Sequence, residues 1–336
     1  MLLVAAPDKF RATAGAAEIA AAIGRAAAAA GAACDAAPIA DGGEGTLEAL
    51  GGSVRRTTVR GPLGDPVLAE WRIQADGTAV VEMARASGLG LAGGPEGNDP
   101  LRASTAGTGE LIAAALDAGA TRVIVGVGGS ASTDGGLAAL TALNPRRRLH
   151  AGVELVVACD VETLFVDAAE VFAPQKGATP AQVALLRRRL ERLAQVYLRD
   201  YGVDVRDVPG SGAAGGLAGG LAAAGAQLVP GFEVVADALL LAERIQRADL
   251  VVTGEGTLDA ESFEGKAVGG VVDLATAAGV PVLIVAGEVL AGELPELGPS
   301  IEVVSLVDRF GRDRALADAT GCVEEAVGTH LLDRRR

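Results

Sequence analysis

The chain has 336 residues, half of them apolar, only 3% aromatic, and a net charge of -14. That length and apolar content exclude a disordered chain and favour two packed domains. The acidic balance excludes nucleic acid and anionic membranes as partners, because phosphate surfaces are bound by clustered cations.

The opening MLLVAAPDKF has no basic residue ahead of its short apolar run, which ends at Asp8, so it reads as a first strand and not as a signal peptide. An Ala-rich helix follows over about 14–30, broken by Arg25 and Gly31 and too poor in bulky side chains for a membrane span. A second strand around 34–39 completes one βαβ unit. Residues 53–84 alternate apolar and polar side chains between turn signals at Gly61-Pro62, Gly64-Asp65-Pro66 and Asp76-Gly77, the pattern of an antiparallel meander. Then come a helix (107–119), a strand (121–128), a helix opened by Ser130 to Gly136, and the strand VELVVACDV. Thr179 and Pro180 supply the cap and first position of a helix running to about 198. Late in the chain the first pattern returns, with strands at 249–254, 280–287 and 301–307, a helix at GKAVGGVVDLATAAG and a C-terminal helix through Cys322 to Leu332.

Five apolar strands separated by helices predict an α/β fold, a flavodoxin-like parallel sheet domain with a second mixed α/β domain inserted into it. The expected boundaries are 1–45 and 236–336 for the sheet domain and 46–235 for the insert. Three cysteines without close spacing (Cys34, Cys159, Cys322) point to a reducing compartment, hence a cytoplasmic location, and to no zinc site.

Ligands of such sheets bind beyond the carboxyl ends of the strands, near the point where strand order reverses. Those ends read Asp8-Lys9, then Asp41-Gly42-Gly43-Glu44-Gly45-Thr46, then Gly254-Glu255-Gly256-Thr257-Leu258-Asp259. In a 2-1-3 order Asp8, Asp41 and Glu255 converge, and carboxylates flanked by glycine suit Mg2+ bound beside phosphate oxygens. In the insert, Gly128 to Gly136 turns a strand into a helix through Gly129, Ser130 and Asp134, an arrangement that aims backbone N–H groups at an anion. Asp160 ends a strand, and Gln175-Lys176-Gly177 precedes a helix. Only Lys9, Lys176 and Lys266 are lysines among 29 basic residues, which suggests that each is kept where a compact point charge is needed. The run GSGAAG (210–215), followed by Glu233, matches a dinucleotide-binding pattern but is entered through Pro209, and reads as a glycine-rich helix start with small-residue packing. No P-loop pattern occurs.

Taken in order, APDKFRATAGA, PIADGGEGT, TAGTGELI, VGVGGSASTDGG, VVACDV, VFAPQKGAT, GSGAAGGLAGGL and ADLVVTGEGTLDAESFEGKA resemble the bacterial glycerate kinase family of the glycerate 2-kinase type, which is not a P-loop family. The resemblance implies an active site in the cleft between two domains. It also places Asp8, Lys9, the loop from Asp41 to Thr46, Gly129, Ser130, Asp134, Asp160, Gln175, Lys176, Glu255, Asp259 and Lys266 in the shared site. The chain departs from the family pattern at Ala12, where glycine is usual, and in shortened segments at 144–149 and 162–170, which bear on acceptor choice.

The expected activity is phosphorylation of D-glycerate by ATP, to 2-phosphoglycerate or alternatively 3-phosphoglycerate. Lys9, Lys176 and Lys266 are assigned to phosphate or the substrate carboxylate, Asp41 and Glu255 to Mg2+, and Asp160 or Asp8 to the general base. Gly42, Gly43, Glu44, Thr46, Gly129, Ser130, Asp134, Gln175, Gly254, Gly256 and Asp259 are assigned to substrate and nucleotide binding. Partners are glycerate and ATP, with no nucleic acid and no membrane, and a homodimer is left open. The competing readings are a nucleotide-dependent oxidoreductase using the glycines at 210–215 and a ligand-sensing protein without catalysis.

Overall fold

The computed structural model describes residues 1–10, 13–149, 152–263, 265–290 and 294–334, so Ala12 lies outside the described residues. The strands run in chain order as β1 (Leu2–Ala5), β2 (Ala33–Ala36), β3 (Ser53–Arg60), β4 (Pro66–Ile73), β5 (Thr78–Glu82), β6 (Arg122–Gly126), β7 (Glu154–Ala158), β8 (Gln227–Val229), β9 (Leu250–Leu258), β10 (Val282–Val289) and β11 (Ile301–Ser305). The chain divides into two compact units, Met1–Asp41 with Phe232–Arg336, and Gly42–Gly231.

The first unit is a five-stranded sheet in the order β11-β10-β9-β1-β2, parallel throughout. Its central strands are nearly continuous apolar runs because both faces are covered. Helix Ala16–Ala29 buries Ile19, Ala20, Ile23, Ala26 and Ala27, a spacing that keeps one stripe inward. Glu18 fixes its start by accepting the Gly15 N–H at 2.9 Å. With helix Ala319–Asp333 it encloses Leu3, Leu250, Val252, Leu283 and Val285, each worth about 1.5–3 kcal/mol of burial. Helix Ala267–Ala278 packs on β9 and β10.

Strands β9 and β10 carry on past their other neighbours: β9 stays paired with β10 as far as Thr257↔Glu288 and Leu258↔Val289. Glu255 and Gly256 therefore lie within β9, where the sequence places them just beyond a strand ending at 254.

The second unit is a six-stranded sheet in the order β3-β4-β5-β6-β7-β8. The expected meander, β3 to β5, is antiparallel, and β5 to β8 are parallel. Its core joins Trp71, Met83, Leu111, Ile112, Val125, Phe165, Leu190, Tyr197 and Leu217. Helix Pro180–Tyr201 begins as expected, with Thr179 Oγ1 accepting the Gln182 N–H. The segment 130–136 is a loop, and its helix begins only at Leu137, because Gly135 and Gly136 both have positive φ. Strand β8 is a further element absent from the sequence expectation.

Candidate functional site

In the first unit a pocket of about 350 Å3 opens along the carboxyl ends of the strands. Asp8, Lys9, Asp41, Glu255, Gly256, Asp259 and Lys266 all line it. The reversal of strand order lies between β1 and β9, so Asp8 and Glu255 flank it.

Each group is held by its local chain. Asp8 is placed by its own N–H, which donates to the Gly254 carbonyl at 2.9 Å. Gly254 itself is outside the pocket lining; it is glycine because a Cβ there would run into the Val285 carbonyl oxygen of the adjoining strand. One carboxylate oxygen of Asp8 accepts the Lys9 N–H at 2.7 Å. The Lys9 ammonium stands 3.6 Å from Asp8 and 3.5 Å from Asp41, bridging the ends of β1 and β2. Asp259 and Ser262 cap one another: Asp259 Oδ1 accepts the Ser262 N–H at 3.0 Å, and Ser262 Oγ accepts the Asp259 N–H at 3.0 Å. Lys266 stands at the N-cap of helix Ala267–Ala278 and pairs with Glu261 at 2.8 Å.

The Glu255 carboxyl is raised above its ordinary range by burial first, with the charges of Asp8 and Asp259 adding to the rise and Ser262 and Lys266 opposing it. A site that crowds negative charge in this way favours a cation. Among the described residues no three His, Cys, Asp or Glu side chains form a metal cage. That donor set fits Mg2+, which takes one or two protein carboxylates and completes its shell from water and phosphate.

The second unit carries the remaining candidates. The Lys176 ammonium is buried, 3% exposed, and donates to Ser130 Oγ at 2.7 Å and to the Ser132 carbonyl at 2.6 Å. Burial lowers its pKa to about 7, against the opposing charge of Asp134. Asp134 is itself raised, chiefly by the dense packing around its carboxyl, although it accepts hydrogen bonds from Thr105 N at 2.9 Å and Gly136 N at 3.1 Å. Asn98 ties the two segments together, its amide donating to the Ala131 and Lys176 carbonyls. Ser130, Asp134 and Lys176 thus form one internal network, whereas Gly129 and Gln175 beside them are exposed.

The Gly42–Thr46 loop is closed by Thr46 Oγ1 donating to the Gly43 carbonyl at 2.7 Å, with Glu44 exposed. Glu82, a buried acid that ends the apolar strand β5, accepts the N–H groups of Gly45 at 2.9 Å and Leu47 at 3.0 Å and so fixes the start of helix Thr46–Leu50. Asp160 accepts the Gly231 N–H at 2.7 Å. Glu82, Thr105, Asn98 and Ser262 escape a sequence reading. An acid closing an otherwise apolar strand, and an Asp-x-x-Ser spacing, are the signals that point to two of them.

The glycines at 210–215 serve close packing. Gly215 has φ +69, and a Cβ on it would meet the Ser132 carbonyl. A Cβ on Gly220, in the helical turns that follow, would lie 2.6 Å from the Gly135 carbonyl.

A doubly wound parallel sheet with lysines and carboxylates gathered in a pocket at its switch point belongs to the α/β proteins that take a small ligand beyond the carboxyl ends of their strands. The glycerate kinase family model matches residues 3–150 and 144–329. Glycerate 2-kinase of Escherichia coli K12 is 42% identical over 286 residues, covering 74% of this chain and 75% of that protein. A glycerate kinase of Bacillus subtilis 168 is 39% identical over 327 residues, 86% of this chain and 85% of its own. A solved structure described as a glycerate kinase 2 from Salmonella typhimurium LT2 superposes with a TM-score of 0.85 at 35% identity, over 100% of this chain and 98% of the other. The chain belongs to the glycerate kinase family, and it is a kinase. Among the described residues no helix is long and apolar enough to cross a membrane.

Proposed function

We propose that this kinase transfers the terminal phosphoryl group of ATP to a hydroxyl of D-glycerate, with 2-phosphoglycerate as product, and that the first unit's pocket carries the chemistry. The observation that supports this most is the lining itself: two lysines and six carboxylates share one pocket at the switch point of a parallel sheet. Phosphoryl transfer asks a protein mainly for positioning and charge neutralisation. Lys9 and Lys266 hold phosphate oxygens as point charges. Glu255, with Asp41 beside it, would hold Mg2+, which supplies further neutralisation of the phosphates when bound. Asp8 takes the proton from the attacking hydroxyl, since it lines the pocket, whereas the alternative base, Asp160, is outside that lining. Lys176, spent on Ser130 and Ser132, acts by holding the 130–134 loop in shape. Free Cys34, Cys159 and Cys322 accord with a cytoplasmic setting.

The test is ADP release with Mg2+-ATP and, in turn, D-glycerate, L-glycerate and tartronate. Turnover fastest with D-glycerate is expected, and an absence of turnover with all three acids would overturn the reading.

A further inference from the structure

The first unit's pocket has two chemically different ends, and we propose that its apolar end, formed by Val307, Ala315 and Leu316 with Arg312, seats the heteroaromatic base of the nucleotide. The proposal rests on the kinase reading above and adds to it where the base lies and which residues recognise it. The order of the strands sets out the pocket. Lys9 and Asp41 follow β1 and β2, Glu255 to Thr257 lie on β9, Gly287 and Glu288 lie on β10, and Val307, Arg312, Ala315 and Leu316 come after β11. Neighbouring strands stand about 4.8 Å apart, so the three spacings from β1 to β11 separate the two ends by about 14 Å.

A three-carbon acid is too short to touch both ends. An elongated ligand, anionic at one end and apolar and flat at the other, matches the lining, and a nucleoside triphosphate is such a ligand. Both lysines and five of the six carboxylates lie on or just after β1, β2 and β9, and only Glu288, already paired with Arg312, lies on β10, which sets the phosphates toward β1 and β9 and the base toward β11. Leu316 is 55% exposed although it lines the pocket, so it presents apolar surface that a base would cover. Arg312 is held by Glu288, its Nη1 donating to both carboxylate oxygens at 2.8 and 3.0 Å. A guanidinium anchored in this way offers a flat face for stacking on an aromatic ring.

The experiment compares the wild-type chain with Leu316→Ser and Leu316→Phe, both neutral changes at an exposed position. For each, KM is measured for ATP and D-glycerate, and binding of adenosine and of tripolyphosphate is measured by calorimetry. Leu316→Ser is expected to weaken adenosine and raise KM for ATP about fivefold, leaving tripolyphosphate and glycerate within twofold of wild type. Leu316→Phe is expected to retain adenosine binding. Adenosine binding indifferent to Leu316→Ser, or a loss shared equally by tripolyphosphate, would overturn the assignment. A chain that binds adenosine in a Leu316-dependent way yet never phosphorylates glycerate would refute the proposed transfer to glycerate and uphold the base subsite. A chain that phosphorylates glycerate with an ATP KM indifferent to Leu316→Ser would do the reverse.

Discussion

Replacing Lys176 by methionine removes an ammonium that the second unit keeps inside, and the consequence is a change in how stability depends on pH. In the folded unit this amine titrates at about 7, against 10.5 ordinarily, because burial penalises the cation more than Asp134 supports it. Between those two values the unfolded chain holds one proton more than the folded one, so stability rises with pH; below about 7 both states are protonated and the whole penalty is present. One pH unit corresponds to about 1.36 kcal/mol, and the full difference to about 5 kcal/mol. Cys159, held at about 11 against 9.0 by burial, works in the opposite sense above pH 9, so the clean window is pH 7 to 9. Across it Lys176 adds about 2–3 kcal/mol of stability. Trp71 is the chain's single tryptophan and is buried in the second unit, so its fluorescence reports that unit's unfolding in urea. The wild-type midpoint should climb from pH 7 to 9 and that of Lys176→Met should stay flat by comparison. A methionine variant that keeps the climb, or a wild-type chain without one, would show that the ammonium is not buried as described.

Three further outcomes are expected. Glu82→Ala removes the acceptor of two backbone N–H groups and the ion pair to Arg85. It should destabilise the second unit by about 3 kcal/mol, read through Trp71. Gly254→Ala drives a Cβ into the Val285 carbonyl of the neighbouring strand. It should cost about 3 kcal/mol or more in thermal unfolding of the first unit and abolish turnover, since Asp8 hangs from the Gly254 carbonyl. Chelation should stop turnover reversibly while leaving the melting temperature of the nucleotide-free chain unchanged, because no three-carboxylate cage exists among the described residues; a large stabilisation by Mg2+ alone in thermal melts would contradict this.

Much of the fold is written in local patterns. The apolar strands β1, β9 and β10, the Ile19-Ile23 stripe and the Thr179-Pro180 start carry their own physical instructions. Strand β8, only Gln227–Val229, is too short to show a period. The extension of β9 through Glu255 depends on its pairing with β10, which no local pattern records. The same divide runs through the site. Asp8, Lys9 and Asp41 are legible because strand ends and glycines announce them. Lys176 between Gln175 and Gly177 reads as a ligand of phosphate or the substrate carboxylate, and Ser130, Ser132 and Asn98, all distant in sequence, enclose and engage its segment. Glu82 looks like an ordinary strand terminus until the 45–47 backbone is seen to rest on it.

Phosphorus NMR of the chain incubated with Mg2+-ATP and D-glycerate, for the wild type and for Glu255→Gln, tests the central claim most directly. The wild type should consume ATP and build the resonance of 2-phosphoglycerate, and Glu255→Gln should fold yet form it at least about a hundredfold more slowly. Undiminished product from Glu255→Gln, or ATP left intact by the wild type, would contradict the placement of phosphoryl transfer in the first unit's pocket.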